Sequence, residues 1–551
     1  MNMRYVLAWA AALVAAMLGA SSLLTTLIPE GTVEATAILD WGVNARPVPG
    51  SFVGISVSAA NRGSGVVVPP EPGQPEGATH SNAISATAVL RASILRFPDD
   101  VSQTYHWNSA FGTSTVDTDR FAFLTELAGV PDMMLTVNMV EGATDEATNW
   151  VAYTNSPAGT QFGQLRANRG NPEPFNVQYW LLGEDIADRP DIFPSALAYL
   201  EAATANASAM KATSPSISIG LWIAPGDTEE ERAWNDALMD GLRDRDPGQE
   251  NPPRARLIDF LAVAVEAEVP NRPVTDATLF ASLYGHAADR ARGVLQQAER
   301  TTQLLAHPLP LAVYRYELKF AEEGWNQDKG DSIGATVAIT GMLNEFIRHD
   351  SLFTAIYKGL NADSYSAVLK VPSRYDLPFA RQFELNAVGE VLASFGQYLA
   401  GQSLQGEYAG VGATLTEASR AFYRAPALGR TPAQERVPLV TVGACVDTAS
   451  DQMVLWVASR ALNDRVLLHV RVQGTGSLSL GRVDTDGNVR AVIQEVSAST
   501  LSSDRYTGFE TVVATGQEVP LPVSYPEPGV FEFTMTLKPH SVSTVVLALE
   551  G

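Results

Sequence analysis

Acidic residues stand at the ends of two apolar stretches that are far apart in the sequence. Glu184 and Asp185 end the stretch Phe175–Asp185, and Glu317 lies at the end of Leu309–Leu318. If both stretches are parallel strands of a barrel, their carboxyl ends lie on the same face. A pair of carboxylates across a cleft is the arrangement with which glycosidases cleave an acetal. These residues are therefore the candidates for the reacting groups.

The other stretches of this kind also end in residues that suit sugar binding, because aromatic faces pack on sugars and polar groups bind hydroxyls. The predicted substrate-binding residues are Arg96, Asp99, Asp100, Trp107, Asn138, Trp222 and Tyr316. Structural roles remain open for some of them. Arg96 could instead pair with a buried carboxylate, Trp107 and Trp222 could belong to the core, and Glu317 could form a salt bridge to Arg96 or Arg315.

Other reaction classes leave characteristic motifs that the sequence lacks. It has no GxSxG elbow, Walker loop or HExxH motif, and its 7 histidines are scattered, which argues against a three-ligand zinc site. The single cysteine, Cys445, excludes a disulfide within the chain and is expected to pack as a small apolar residue. We predict neither a metal nor a cofactor.

The composition is that of a folded, acidic protein. Of 551 residues, 46% are hydrophobic and 18% charged, and 61 acidic residues against 38 basic ones give a net charge of -23. Such a surface repels nucleic acid and anionic membranes, so neither is an expected partner. The expected partner is a carbohydrate, and the sequence leaves the oligomeric state open.

Residues 1–30 differ from the rest. Arg4 precedes an uncharged run from Tyr5 to Ile28, which predicts either a cleaved signal peptide or an N-terminal membrane anchor. Both alternatives place the remainder outside the cytoplasm, secreted or anchored to the outer face of the membrane.

Residues 51–400 alternate apolar runs with amphipathic stretches, which predicts a (β/α)8 TIM barrel; a doubly wound open sheet is the alternative. The eight predicted strands are Phe52–Ser58, Ser93–Pro98, Met133–Met139, Val177–Gly183, Ile217–Pro225, Leu257–Val265, Leu309–Leu318 and Leu352–Leu360. Residues 401–551 instead show short alternating runs separated by turn residues, which predict an antiparallel β-sandwich. Residues 31–50 form a further strand, expected to join that sandwich.

Several of these segments resemble the α-L-arabinofuranosidase-type glycoside hydrolases. The stretch LRFPDDVSQTYHW (Leu95–Trp107) is similar to that family's Arg-Phe/Trp-Pro-Gly-Gly…Tyr-x-Trp segment. Residues 137–185 are similar to its third and fourth strands, and the ending LKPHSVSTVVLAL to its last strand. The resemblance implies a retaining glycosidase barrel with a β-sandwich completed by the segment before the barrel.

The same resemblance implies roles for the candidate residues. Glu317 takes the place of the nucleophile, Asp185 that of the acid/base, and Glu184 that of an asparagine that binds the sugar 2-hydroxyl. Glu184 is the reserve candidate for the acid, and Arg96 and Tyr316 are expected to orient Glu317.

The sequence departs from the family pattern at several of these places. Asp99 and Asp100 replace its Gly-Gly, the Gly-Asn-Glu of its fourth strand becomes Gly-Glu-Asp, and its sixth-strand His-x-Tyr is absent. The Trp expected after its eighth strand is not visible either. The prediction is therefore an exported, retaining glycoside hydrolase acting on arabinofuranosyl or related glycans. The alternative is a catalytically impaired protein of the same fold that binds glycan or a cell-surface partner.

Overall fold

A computed structural model describes most of the chain. It covers residues 32–40, 46–60, 66–67, 79, 81–111, 116–321, 325–326, 329–360, 368–370, 383–399, 408–415, 422–428, 432–447, 450–473, 479–481, 483–498, 501 and 513–550. The predicted signal peptide or anchor at residues 1–30 lies outside these ranges. Within them, no helix has both the length and the hydropathy needed to cross a bilayer.

The strands are numbered β1 to β23 in chain order within the described ranges. They are β1 (Thr32–Asp40), β2 (Arg46–Pro47), β3 (Val53–Ser56), β4 (Ile94–Phe97), β5 (Asp132–Val137), β6 (Tyr179–Leu182), β7 (Ser218–Trp222), β8 (Phe260–Glu268), β9 (Leu311–Lys319), β10 (Leu352–Tyr357), β11 (Val368–Lys370), β12 (Phe383–Leu385), β13 (Tyr408–Leu415), β14 (Phe422–Ala425), β15 (Gln434–Pro438), β16 (Val440–Asp447), β17 (Gln452–Ser459), β18 (Arg465–Gln473), β19 (Ser479–Leu480), β20 (Asn488–Ser497), β21 (Val513–Glu527), β22 (Val530–Leu537) and β23 (Ser541–Glu550).

The helices are numbered in the same way. They are α1 (Ser81–Leu90), α2 (Thr118–Leu127), α3 (Thr144–Asn155), α4 (Gln161–Asn168), α5 (Ala196–Thr213), α6 (Glu229–Arg245), α7 (Asp276–Thr302), α8 (Ile333–Phe346) and α9 (Ala387–Leu399). Short 3-10 turns span Asp99–Val101, Ile186–Asp188 and Pro247–Gln249.

Strands β3 to β10 form a closed barrel in which all the neighbouring pairs are parallel. Each of the eight predicted apolar runs overlaps one of these strands, which confirms the TIM-barrel prediction and excludes the open sheet. The sixth strand lies further along the chain than predicted, at Phe260–Glu268 instead of Leu257–Val265. The reason is that Asp259 uses its side chain to accept the Ile219 N–H, so regular pairing begins only at Phe260.

Most helices of the barrel begin at a residue that caps them. A serine, threonine or aspartate side chain accepts a backbone N–H of the first turn, which satisfies a donor that the helix itself leaves unpaired. The capping residues of α2 and of α4 to α8 are Asp117, Thr160, Ser195, Thr228, Thr275 and Ser332.

The other large sheet forms a β-sandwich. Its first strand, β1, precedes the barrel in the sequence. The strand order is β1-β18-β22-β21-β20-β23-β17-β16-β13-β2, β19 pairs with β23, and β1 also pairs with β13. The pairs are antiparallel except β1 with β18, which run parallel over the whole length of Thr32–Asp40. The antiparallel sandwich is confirmed, and the residues from 32 to 40 supply a strand in the middle of it.

Trp456 on β17 connects the sandwich to the barrel's helices. Its ring is fully buried and stacks on Phe395 of α9, with the centroids 4.2 Å apart. Its indole N–H donates to Ser394 Oγ at 3.0 Å. The same β-sheet buries Cys445, as expected for a packed thiol.

Replacing Trp456 by alanine should therefore destabilise the protein by about 3–5 kcal/mol, because a buried aromatic ring and its stacking partner lose contact. The measurement is the midpoint of urea unfolding, followed by tryptophan fluorescence and circular dichroism. Trp325→Ala is the matched control: that ring is 59% exposed, and its loss should change stability by less than about 0.5 kcal/mol. Equal midpoints for the two variants would contradict the inferred junction.

Candidate active site

Strand β6 ends in a strained turn that directs two carboxylates differently. Gly183 and Asp185 both have left-handed backbones, with φ of 75° and 49°. A Cβ on Gly183 would lie 2.7 Å from Ile186 Cδ1, so the position requires glycine. Asp185 has no such freedom and holds a conformation that is uncommon for a non-glycine residue. Strain of this kind concentrates at functional sites.

Glu184 is directed into the barrel, where Arg96 of β4 binds it. The Arg96 guanidinium donates to Glu184 Oε2 in a very short contact, and Ser102 Oγ donates to Oε1. Arg96 also pairs with Asp99 at 3.0 Å and donates to Thr136 Oγ1 at 3.1 Å. Both Arg96 and Glu184 are buried. The expectation that Arg96 orients Glu317 is therefore corrected, because its guanidinium pairs with Glu184 and Asp99 instead.

A β-bulge in β9 supplies the partners of Asp185. Val263 pairs with Val313, but Ala264 pairs with Arg315, so Tyr314 is an extra residue. A bulge changes the direction of the side chains beside it. Tyr314 donates its hydroxyl to Asp185 Oδ1 at 2.9 Å, and Arg315 Nη2 lies 3.2 Å and 2.9 Å from the two oxygens of Asp185.

The Arg315 guanidinium touches four carboxylates. Besides Asp185, Nη2 lies 2.5 Å from Glu266 Oε1, Nη1 lies 3.8 Å from Glu184 Oε2, and Nε lies 3.9 Å from Glu317 Oε1. Its side chain is only 9% exposed. Water screens such a charge weakly, so these pairings dominate the local field. We call Arg315 and these four acids the carboxylate cluster.

Glu317 is buried at the end of β9, 1% exposed. Lys358 Nζ approaches its Oε1 at 3.2 Å, but among the described residues neither oxygen accepts an aligned hydrogen bond. Burial raises the pKa of Glu317; Lys358 and Arg315 oppose the shift without cancelling it, and Glu266 adds to it.

Asp185 has the opposite balance. Its burial alone would raise its pKa, but the charge of Arg315 and the hydrogen bonds from Arg315 and Tyr314 outweigh that effect and lower the pKa. At rest, Asp185 therefore holds its proton less tightly than an ordinary aspartate, and Glu317 holds its proton more tightly than an ordinary glutamate. A retaining glycosidase requires the reverse, with an ionised nucleophile and a protonated acid.

Of the remaining predicted residues, Trp222 lies beside the carboxylate cluster and Asn138 lies in the loop after β5. Trp222 donates its indole N–H to Tyr314 Oη at 3.3 Å, so it supports the wall of the cluster. Asn138 is buried and accepts the backbone N–H groups of Val140 and Glu141, which shapes the loop after β5. The side chain of Asp100 lies outside the described part of the structure.

Two aromatic residues pack away from the cluster. Trp107 is 2% exposed, donates to the Glu146 carbonyl and stacks near Tyr153 at 5.0 Å, so it belongs to the core. Tyr316 packs against Phe346 of α8 at 5.1 Å, on the helix side of the barrel. The expectation that Tyr316 orients Glu317 is corrected, because alternate residues of a strand face opposite sides and Glu317 is its neighbour.

The sequence predicts Arg315 as one possible salt-bridge partner of Glu317, and the structure places its Nε 3.9 Å from Glu317 Oε1. Lys358, whose Nζ lies closer at 3.2 Å, is not predicted from the sequence. The useful signal was spacing, since Arg315 lies two residues before Glu317 and must face the same side of β9. Tyr314 had no such signal, because its inward direction depends on the bulge.

Comparisons with known proteins agree with this architecture. Residues 101–247 match the family model of the Alpha-L-arabinofuranosidase 1 domain. The chain is 30% identical over 183 residues to Alpha-L-arabinofuranosidase C of Emericella nidulans; that match covers 30% of this chain and 36% of the relative. The chain thus matches about a third of the length of that relative.

Solved structures extend the similarity to the whole fold. The α-L-arabinofuranosidase of Thermotoga maritima, solved in complex with arabinose, superposes with a TM-score of 0.70 at 17% identity and covers 94% of this chain and 100% of its own. The thermostable enzyme of Thermotoga petrophila, of family GH51, gives 0.70 at 17% identity over 93% and 100%. By sequence over residues 101–247 and by fold over nearly all its length, this chain resembles the α-L-arabinofuranosidase-type glycoside hydrolases.

Proposed function

We propose that this protein is an exported glycoside hydrolase that removes α-L-arabinofuranosyl groups with retention of configuration. The observation that carries the proposal is Glu317 on β9, a buried carboxylate with no aligned hydrogen-bond donor among the described residues. It lies at the same end of the barrel as Asp185, which follows β6, and Arg315 approaches both acids. Burying a carboxylate without an aligned hydrogen-bond donor costs stability, and such perturbed groups are concentrated at functional sites. The relatives named arabinofuranosidases support the choice of sugar.

In this proposal the ionised Glu317 attacks the anomeric carbon and forms a glycosyl–enzyme ester. The leaving group departs with the electron pair of the broken C–O bond and takes up a proton from solvent. Asp185 then removes a proton from water, which attacks the same carbon and frees Glu317. Lys358 and Arg315 favour the ionised form of Glu317. Asp185, held as a carboxylate by Arg315, is well prepared for the second step.

Glu317→Ala should abolish hydrolysis of para-nitrophenyl α-L-arabinofuranoside, because no ester can form. Asp185→Asn should lower kcat by about 10²–10⁴-fold, the usual contribution of an acid/base group. Added azide, which attacks the ester without a base, should restore turnover in Asp185→Asn and leave Glu317→Ala inactive. The measurements are steady-state kinetics and product identification by NMR.

Asp191→Asn is the matched control, since it removes an exposed carboxylate whose one ion pair within the described ranges is with Arg189 in the same loop. It should keep wild-type kinetics. Absence of turnover by correctly folded wild-type protein on any aryl glycoside would contradict the proposed function.

A dinitrophenyl leaving group departs without needing a proton. With such a substrate, kcat/KM should fall on the acid side, and this acid limb should have an apparent pKa above the usual glutamate value of about 4.3. Burial raises the pKa of Glu317, so the nucleophile becomes protonated and inactive as pH falls through that value. Lys358→Met removes a cation that lowers this pKa and should move the limb to higher pH. A limb that stays in place or moves downward in Lys358→Met would refute the assignment of Glu317.

The second candidate is a protein that binds glycan in this cleft without turnover. The observation that favours it is the Arg315 guanidinium, which already neutralises Asp185 and Glu266. Binding to an arabinan that is unchanged by Glu317→Gln, together with no hydrolysis, would support this candidate over the enzyme.

Export completes the proposal and rests on residues 1–30 alone. The basic start and the uncharged run predict either a secreted protein or one anchored to the outer face of the membrane.

A further inference from the structure

Arg315 binds the carboxylate of Asp185, the residue from which the proposed hydrolase would need a proton. A retaining glycosidase must deliver a proton to the leaving group from the residue in the place of Asp185. Here both oxygens of Asp185 face Arg315 Nη2, and Oδ1 also accepts the Tyr314 hydroxyl. These three contacts, two of them from the Arg315 cation, favour the ionised carboxylate and, among the described residues, leave one acceptor site on Oδ2.

We propose that Arg315 is a positioning residue that keeps Asp185 a carboxylate during glycosyl transfer, so that the site cleaves bonds to leaving groups that depart as anions. Phenols are such leaving groups, and sugar hydroxyls are not. The inference rests on the proposed function, and it assigns aryl arabinofuranosides as the substrate class.

The chemical step balances without a proton from Asp185. A Glu317 oxygen forms a bond to the anomeric carbon as the bond from that carbon to the phenolic oxygen breaks. The phenolic oxygen keeps the electron pair and leaves as phenolate, which takes a proton from water. In the second step, water gives its proton to Asp185 and its oxygen to the anomeric carbon, and the Glu317 ester bond breaks.

The surrounding groups hold the guanidinium in place. Glu266 binds Nη2 at 2.5 Å from the neighbouring strand and is itself bound by Lys319 at 2.5 Å. Trp222 supports Tyr314 from β7 through the hydroxyl that faces Asp185. Two cations, Arg315 and the more distant Lys319, lower the pKa of Asp185, in agreement with the geometry.

The test compares leaving groups in wild type, Arg315→Gln and Tyr314→Phe. Wild type should hydrolyse dinitrophenyl, para-nitrophenyl and phenyl α-L-arabinofuranosides with rates that fall steeply as the leaving group becomes more basic, and should leave the methyl glycoside intact. Without the guanidinium, Asp185 can hold a proton and deliver it to the leaving group. In Arg315→Gln the rate should therefore depend less on the basicity of the leaving group. The ratio of the phenyl rate to the dinitrophenyl rate should rise at least about tenfold, which is part of the usual contribution of a general acid. Tyr314→Phe should shift it in the same direction by less.

A second readout does not depend on activity. Carbon-13 NMR of labelled aspartate carboxyls, assigned by the signal missing in Asp185→Asn, follows the titration of Asp185 directly. Its midpoint in wild type should lie below the ordinary value of about 3.9 and should rise in both variants. Tyr314→Phe keeps the ring and the ion pairs, so it serves if Arg315→Gln fails to fold.

Lys211→Met is the matched control, because it removes an equal charge from the ion pair with Asp259 at the other end of the barrel strands. It should leave both the leaving-group dependence and the midpoint unchanged. An Asp185 midpoint that does not rise in Tyr314→Phe or Arg315→Gln would overturn the inference, as would equal wild-type rates on phenyl and methyl glycosides. If no protein hydrolyses any glycoside while the midpoints shift as expected, the proposed hydrolase fails and the role of Arg315 toward Asp185 stands.

Discussion

The constraint on which this structure depends is the burial of several carboxylates at one end of a parallel barrel. Ionised carboxylates in a buried site are costly unless cations accompany them. Arg96 accompanies Glu184 and Asp99, Arg315 accompanies Asp185 and Glu266, and Lys358 approaches Glu317. For Asp185 and Glu317 the balance between burial and these cations has opposite results: burial is outweighed and the pKa of Asp185 is lowered, whereas burial prevails and the pKa of Glu317 is raised. This difference determines which chemical step each acid is prepared to perform.

The barrel could be predicted from the sequence because its determinants are local. A strand buried on both faces is a continuous apolar run, and eight such runs separated by amphipathic stretches leave few other architectures. The carboxylates at the strand ends followed from the same pattern. Glu184, Asp185 and Glu317 do meet on one face, as their positions in Phe175–Asp185 and Leu309–Leu318 indicate.

The pairing within the site could not be predicted in the same way. The extra residue at Tyr314 changes the direction of two side chains, and a bulge has no signature in an apolar run such as Leu309–Leu318. Arg96 was assigned to Glu317 by resemblance, but the acid beside it in this chain is Glu184, which replaces the family's neutral asparagine. The sequence allows Trp107 to be either a core residue or a surface on which a sugar stacks. Its burial and its contact with Tyr153 show that it is a core residue.

The parallel pairing of β1 with β18 has a consequence for how the chain reaches this fold. Strand β1 leaves the ribosome before any other described element, yet both its partners, β13 and β18, lie beyond the barrel in the sequence. Its backbone donors and acceptors therefore have no sheet partner while the barrel is being made, a condition in which an extended segment is open to wrong pairings. Pairing of β1 in the sandwich can therefore be completed only after Arg465–Gln473 has been synthesised, well after the barrel strands.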